Sequence, residues 1–323
     1  MSAIIEAKPM SLLLITPTSD TGLWADAFRA RAPGRRLFVH GVDRYAPETI
    51  RYAIVWKPPR GVLGTLPALE AIFNLGAGVD ALLAHPDLPD VPLVRLLDPN
   101  LTARMSEWVA LQVLTHHRRA LAYLGQQARR EWRALPQPIA GQVRVGVMGY
   151  GVLGSDAADV LVRLGFDVRA WSRNPKPGAA VRLFAGPEAL DAFLAETDIL
   201  VALLPLTGDT RGLLDSALIG RLARDGALGG PVLINAGRGG LQVDADIGRA
   251  LRDGTLAGAS LDVAETEPLP AGSPLWDAPN LVITPHVAAD SAPDTVSGII
   301  LAQIEAHERG APLEHVVDRA RGY

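Results

Sequence analysis

The chain contains no cysteine among its 323 residues. Disulfide bonds, thiolate catalysis and cysteine-ligated zinc are therefore excluded. It also lacks a basic balance, because its formal net charge is −4, and we expect no nucleic-acid partner and no polybasic membrane surface. No apolar run approaches the roughly 18 residues of a membrane-spanning helix. Residues 1–10 do not pair a charged segment with a full apolar one, so we expect a cytoplasmic protein without a targeting segment.

The chain is long enough for two domains, each with its own core. Residues 11–104 alternate strand patterns with segments containing Pro, Gly and Asp, which favours a parallel α/β sheet. The strands predicted there are Leu12–Thr16, Arg36–His40, Ile54–Trp56, Ala71–Asn74 and Leu93–Leu96.

Residues 106–133 form one long helical pattern without proline, which ends before a linker containing Pro136 and Pro138. Further strands are predicted at 143–149, 167–172, 198–204, 231–236, 257–262 and 281–284, and a last helix at about 292–308. The predicted fold class is α/β, with two Rossmann-like or flavodoxin-like domains built on parallel sheets. We expect a nucleotide domain, 105–286, inserted into a substrate domain of 1–104 plus 287–323, with a ligand cleft at the hinge.

The segment 143–154 combines a buried strand pattern with a glycine motif at Gly149, Gly151 and Gly154. Glycines at this spacing permit a tight turn, close approach to a pyrophosphate, and tight packing of helix on strand. A helical pattern starts at Val152 and Leu153, so backbone N–H groups of its first turn would face the phosphates. These five residues are the predicted core of a dinucleotide site.

The next predicted strand ends at Ser172 and Arg173 without the carboxylate that would accept the ribose 2′-hydroxyl of NAD. A hydroxyl and a guanidinium are suited to a 2′-phosphate instead, and Lys176 would add positive charge. We therefore predict that NADP(H) is preferred and NAD(H) is possible. The alternative is that Arg173 is an ordinary solvated loop residue.

Three further motifs follow predicted strands, where open α/β sheets bind ligands. Arg238 lies between glycines and would clamp a carboxylate. His286 follows Thr-Pro and would supply a proton near neutral pH. Glu267 precedes a proline in an acidic loop and would favour the imidazolium form, with Glu265 as an alternative partner. None of these motifs calls for a metal.

The chain resembles the D-isomer-specific 2-hydroxyacid dehydrogenase family over about residues 70–290, and most closely its glyoxylate/hydroxypyruvate reductase A branch. The motifs above carry the resemblance, together with the stretches 56–59, 74–80 and 171–173. The resemblance implies that Arg238 binds the substrate carboxylate, that Glu267 orients and charges the histidine, and that His286 is the acid/base. It also implies that backbone N–H groups of Ala77 and Gly78 hold the carboxylate.

Other residues have two interpretations. Asp262 would receive the nicotinamide amide or cap a turn. Leu204, Pro205, Thr207 and Thr210 resemble a family loop beside the cofactor, although the threonines would also suit a helix cap. Ala236, in the arginine motif, is likewise predicted to lie against the cofactor. Trp56 and Trp108 are either walls of the substrate pocket or ordinary packing.

The implied activity is NADPH-dependent reduction of a small 2-oxo acid, glyoxylate or hydroxypyruvate, to glycolate or D-glycerate. The short segment after His286 and the presence of Glu267 argue against phosphoglycerate and formate dehydrogenases of the same fold. Remaining alternatives are a dehydrogenase of another 2-hydroxy acid and a nucleotide-sensing protein of the corepressor type. The helix at 106–133 resembles the family's dimerisation segment, and we expect a homodimer, although such a helix would equally pack within one chain.

Overall fold

The computed structural model of the chain describes residues 11–17 and 20–322. The chain divides into two compact units, one within Met1–Leu101 and Ser291–Tyr323 and the other formed by Thr102–Asp290. The expectation that no targeting segment is present concerns residues 1–10, which lie outside the described residues.

Twelve strands and nine α-helices are formed by the described residues. The strands are β1 Ser11–Ile15, β2 Leu37–Val39, β3 Ile50–Val55, β4 Ala71–Asn74, β5 Leu93–Val94, β6 Arg144–Met148, β7 Asp167–Ser172, β8 Arg182–Ala185, β9 Ile199–Ala202, β10 Val232–Asn235, β11 Gly258–Leu261 and β12 Leu281–Ile283. The helices are α1 Thr21–Arg31, α2 Asp80–Leu83, α3 Pro99–His117, α4 Ala120–Ala128, α5 Val152–Arg163, α6 Leu190–Ala195, α7 Ser216–Gly220, α8 Asp244–Arg252 and α9 Pro293–Glu308.

The first unit is a parallel sheet in the order β2-β1-β3-β4-β5. Its strands are buried on both faces. Leu12 and Leu14 pack with Ile300 of α9, while Leu13 and Ile15 face the opposite layer, as the two-residue period of a strand requires. This strand order is the flavodoxin-like version of the doubly wound fold.

The second unit is a seven-stranded parallel sheet in the order β12-β11-β10-β9-β6-β7-β8. Strand β6, the first of this sheet in the chain, lies between β7 and β9, so the strand order reverses beside it. In an open α/β sheet, ligands bind outside the carboxyl ends of the strands at such a reversal. The predicted fold class, two α/β domains with parallel sheets, is confirmed.

The prediction of a single helix at 106–133 was wrong, because two helices, α3 and α4, occupy the region. Arg119 between them has a left-handed backbone with φ 54°. The following linker returns to this break. Gln137 Nε2 donates to the carbonyl of His117 at 2.8 Å, and Arg119 Nε donates to the carbonyl of Pro136 at 2.8 Å. These bonds compensate the helix end, which neither glycine nor proline marks in the sequence.

A buried polar chain attaches α3 to β11. Ser260 Oγ donates to Gln112 Oε1 at 2.9 Å and lies at the same hydrogen-bond distance from Nε2 of His116. Burial lowers the pKa of His116 to about 4, so the imidazole is neutral at physiological pH.

No described helix is both long and apolar enough to cross a membrane.

Candidate active site

The glycine loop joins β6 to α5 at the strand reversal. Gly149 has φ 110°, which favours glycine, and a Cβ on Gly154 would clash with the carbonyl of Gly149. At Gly151 a Cβ would meet no atom within 4 Å, and no side chain caps the helix that begins at Val152. The first-turn N–H groups, including that of Leu153, are therefore available to an anion, and the loop fits a dinucleotide pyrophosphate.

The end of β7 carries the predicted 2′-phosphate site. Ser172 is buried and donates its hydroxyl to the carbonyl of Asn174 at 2.6 Å, which shapes the turn. Arg173 Nη2 lies 2.8 Å from Oδ2 of Asp209. Sequence reasoning missed Asp209, since it lies in a different loop and no local pattern connects it with Arg173.

Asp209 belongs to the loop that follows β9, where Leu204 is buried and Pro205 is exposed. Thr210 holds this loop together. Its Oγ1 donates to the carbonyl of Pro205 at 2.7 Å and accepts from the backbone N–H of Thr207 at 2.8 Å. Thr210 therefore stabilises the loop internally, and no helix cap by either threonine is observed.

Arg238 follows β10 on a turn that Asn235 organises. The fully buried Asn235 side chain donates from Nδ2 to the carbonyl of Arg238 at 3.1 Å and to Gln242 Oε1 at 2.7 Å. Its Oδ1 accepts from the backbone N–H of Gly237 at 3.0 Å. Arg238 is half-buried and donates from Nη1 to the carbonyl of Gly237 at 2.8 Å. Ala236, before this turn, is buried.

The arginine turn packs directly on the acidic loop. Gly239 lies so close to Ala264 that any Cβ would clash with its carbonyl, and Gln242 Nε2 donates to the carbonyl of Val263 at 3.1 Å. Sequence reasoning missed Asn235 and Gln242 as supports of this site. A buried amide within a glycine-containing turn is the signal that would have found Asn235.

The acidic loop places Glu267, rather than Glu265, on the histidine. Glu267 Oε2 lies 2.8 Å from His286 Nδ1, and these side chains are 31% and 36% exposed. Glu265 instead accepts from the backbone N–H of Asp244 at the start of α8, at 2.7 Å. Burial raises the pKa of Asp244, and the nearby Glu265 carboxylate raises it further.

Asp262 holds the loop that carries His286. Its buried carboxylate accepts from Thr284 Oγ1 at 2.6 Å and from the backbone N–H groups of Val287 and Ala288 at 2.9 and 3.0 Å. The Asp262 carbonyl accepts from the N–H of His286 at 2.7 Å. These bonds support a left-handed backbone at His286, φ 58°. A carboxylate accepts about four hydrogen bonds, and these groups make three with Asp262.

The first unit carries its own candidate binding loop after β4. Asn74 Nδ2 donates to the carbonyls of Gly76 and Gly78 at 2.7 and 2.9 Å, and Trp56 packs directly on Gly76. Within the described part of the chain, no hydrogen-bond acceptor meets the backbone N–H groups of Ala77 and Gly78. These N–H groups are therefore oriented by a rigid loop and available to an anion.

Trp108 belongs to the second unit and packs in its hydrophobic core. The indole is 8% exposed, and its Nε1 has no partner among the described residues. Ordinary packing is thus the environment observed for Trp108.

The second unit carries a glycine loop, a guanidinium turn and a carboxylate–imidazole pair on loops that follow β6, β10, β11 and β12. This combination is typical of a nucleotide-dependent oxidoreductase acting on a carboxylate-bearing substrate.

Comparisons with known proteins agree with this class. Residues 110–288 match the family model "D-isomer specific 2-hydroxyacid dehydrogenase, NAD binding domain". A glyoxylate/hydroxypyruvate reductase A from Escherichia fergusonii is 41% identical, over 97% of this chain and 100% of the relative. The chain therefore belongs to the D-isomer-specific 2-hydroxyacid dehydrogenase family, and the resemblance seen in the sequence is confirmed.

Two solved structures are similar over nearly the whole chain. An NADPH-dependent glyoxylate/hydroxypyruvate reductase from Sinorhizobium meliloti, in complex with NADP and sulfate, is 46% identical with a TM-score of 0.91, covering 97% of this chain and 100% of that one. A D-isomer-specific 2-hydroxyacid dehydrogenase from Xanthobacter autotrophicus Py2, in complex with NADPH and MES, is 42% identical with a TM-score of 0.92, covering 98% and 100%.

Proposed function

We propose that this protein is an NADPH-dependent reductase of small 2-oxo acids that converts glyoxylate to glycolate and hydroxypyruvate to D-glycerate. The observation that carries the proposal is the pairing of His286 with Glu267 in a chain of this family. Similarity over nearly full length to reductases of these two substrates supports the substrate class.

His286 is the proton donor to the substrate carbonyl oxygen. Glu267 accepts a hydrogen bond from Nδ1–H of His286, which leaves Nε2 to act on the substrate. NADPH, when bound, supplies the hydride. Asp262 acts through His286 by fixing the backbone of its loop and is a positioning residue, which is also proposed to receive the nicotinamide amide.

Arg238 binds the substrate carboxylate and favours the negative charge that develops on the neighbouring carbonyl oxygen. Its turn is fixed by the buried Asn235 side chain, so the guanidinium is presented from rigid backbone. In the other unit, the open N–H groups of Ala77 and Gly78 are also proposed to hold a carboxylate of the substrate, and Trp56 to form a wall beside them.

The cofactor site is proposed to consist of the glycine loop and the loops next to it. First-turn N–H groups of α5 bind the pyrophosphate, and Gly151 leaves room for it. Arg173 binds the 2′-phosphate beside Ser172. The remaining proposed contacts come from the loops after β9, β10 and β11, through Leu204, Pro205, Thr210, Ala236 and Asp262.

Steady-state kinetics with a panel of 2-oxo acids test this function. Glyoxylate and hydroxypyruvate should each cause loss of NADPH absorbance, with higher kcat/KM than pyruvate or longer 2-oxo acids, and NADPH should be used more efficiently than NADH. Tight NADPH binding without turnover of any 2-oxo acid would contradict the proposal and favour the nucleotide-sensing alternative.

A homodimer is proposed from the apolar surface around α3, α4 and the linker. Leu111, Leu124, Trp132 and Ile139 are 58%, 61%, 103% and 70% exposed, and burial of such apolar side chains against a second chain would favour association. Sedimentation at micromolar concentration should give the mass of two chains, and a monomer at that concentration would rule the dimer out.

The domain boundaries at 104/105 and 286/287 and a cytoplasmic location remain proposals from the sequence.

A further inference from the structure

Arg173 and Asp209 form an ion pair at the edge of the cofactor site, and the two residues come from separate loops. Arg173 Nη2 lies 2.8 Å from Asp209 Oδ2, with side chains 41% and 80% exposed. We propose that Asp209 is a specificity-determining residue: its carboxylate occupies Arg173 and competes with the 2′-phosphate of NADP(H) for that guanidinium. This rests on the function proposed above, in which Arg173 binds the 2′-phosphate.

The pair differs from the ion pairs that stabilise this domain. Arg144, for example, contacts Asp198 through both Nε and Nη2, and that carboxylate is only 2% exposed. The Arg173–Asp209 pair makes one nitrogen–oxygen contact in solvent, and such pairs contribute little to stability. A phosphate dianion, which makes charge-assisted and often bidentate contacts with arginine, is therefore the stronger ligand.

The loop that carries Asp209 does not depend on this pair for its shape. Thr210 ties the loop internally, through Pro205 and Thr207. Removal of the Asp209 charge should thus leave the loop in place while freeing Arg173. The remaining role of the Asp209 carboxylate is therefore electrostatic: it places a negative charge next to the 2′-phosphate.

Competition at Arg173 affects the two cofactors differently. NADP(H) must displace Asp209 and then tolerates its negative charge nearby, so Asp209 weakens NADP(H) binding and speeds its release. NAD(H) has a 2′-hydroxyl and leaves the ion pair intact, so Asp209 has little effect on it. Asp209 thereby reduces the preference for NADP(H) over NAD(H) that Arg173 creates.

The test compares D209N with D191N. Asn keeps the size of Asp209 and removes its charge. Asp191 forms a matched control pair with Arg221, with one contact at 2.6 Å and side chains 77% and 40% exposed. Fluorescence titration of D209N should give a Kd for NADPH about 3- to 10-fold lower than wild type, since the substitution removes both the competing partner of Arg173 and the repulsion of the 2′-phosphate. The Kd for NADH should stay within about twofold, and D191N should match wild type for both cofactors.

Stopped-flow measurement of NADP⁺ release gives a second readout, which should be slower in D209N. An unchanged or higher Kd for NADPH in D209N would overturn the proposal. The variant R173A separates this outcome from a failure of the proposed function. If R173A weakens NADPH binding while D209N binds like wild type, only the role of Asp209 fails. If R173A binds NADPH like wild type, the 2′-phosphate assignment fails, and the Asp209 proposal with it.

Discussion

Nδ1 of His286 lies 2.8 Å from Oε2 of Glu267. Because a carboxylate only accepts hydrogen bonds, the proton of the neutral imidazole resides on Nδ1. The pair therefore selects a single tautomer and reserves Nε2 for the substrate. Glu265, two residues away, is engaged with the backbone of Asp244 instead.

Substitution of this pair should separate catalysis from cofactor binding. H286N should lower kcat by about 10²- to 10⁴-fold, the usual contribution of a positioned acid, with an unchanged Kd for NADPH. E267Q should lower kcat by about tenfold or more, because a neutral amide replaces the charged partner of His286 and orients the imidazole less strongly. E265Q is the matched control and should retain most of the activity, and equal losses in E265Q and E267Q would count against the assigned pair.

The side chain of Arg238 should govern affinity for the 2-oxo acid. R238K keeps the charge but lacks the planar fork, so kcat/KM for glyoxylate should fall by about 10²-fold, mainly through KM. In R238A the kcat/KM for glyoxylate should fall further. NADPH titrations of both variants should resemble wild type, and a KM for glyoxylate that is unchanged in R238A would refute carboxylate binding by this residue.

Two glycines of the cofactor loop should respond differently to a methyl group. In G154A the added Cβ meets the carbonyl of Gly149, and the free energy of unfolding should fall by about 2 kcal/mol or more. In G151A the Cβ enters open space, so stability should fall by less than about 1 kcal/mol. The Kd of G151A for NADPH should nevertheless rise about tenfold or more, because the methyl group lies where the pyrophosphate approaches. Urea melts and fluorescence titrations measure the two effects, and normal NADPH affinity in G151A would contradict the predicted position of the phosphates.

The buried His116 should make the protein less stable in mild acid. Its pKa is lowered to about 4 by burial, whereas an unfolded histidine titrates near 6.5. Between these values the unfolded chain binds the additional proton, so stability falls as the pH falls from about 6.5 toward 4. This group alone should cost about 2 kcal/mol between about pH 7 and pH 5.

Urea melts of wild type and H116Q at both pH values measure this contribution of His116. The glutamine amide retains a donor toward Ser260 but does not titrate, so H116Q should lose less stability on acidification. A difference between the two proteins that is the same at both pH values would show that His116 does not titrate in this way.

The sequence predicted the elements whose signals are local. Strand β4 was predicted at its observed bounds, Ala71–Asn74, since the apolar run is too short for a helix and glycines follow it closely. The break at Arg119 was missed because the bonds that replace the helix come from Gln137 and Pro136, beyond the helical pattern. Strand β8 was also missed, although Arg182–Ala185 contains adjacent Leu and Phe and is followed by glycine and proline.

The candidate site also contains residues that a local sequence pattern predicted and residues that it did not. The proline beside Glu267 was enough to prefer it over Glu265, and the structure pairs it with His286. The supports of the site were not predictable in this way. Gln242 and Asp209 act through contacts with other loops, and these contacts exist only after the strand ends have been brought together.

The close approach of Gly239 to Ala264 restricts how this enzyme could be redesigned for larger substrates. Gly239 meets Ala264 through main-chain atoms, with no side chain between these two residues that could be trimmed or enlarged in small steps. Libraries that randomise position 239 would therefore consist mostly of members in which the guanidinium and the imidazole have lost their common scaffold. To alter the substrate range, side chains elsewhere around the site should be varied while the contact between Gly239 and Ala264 is kept.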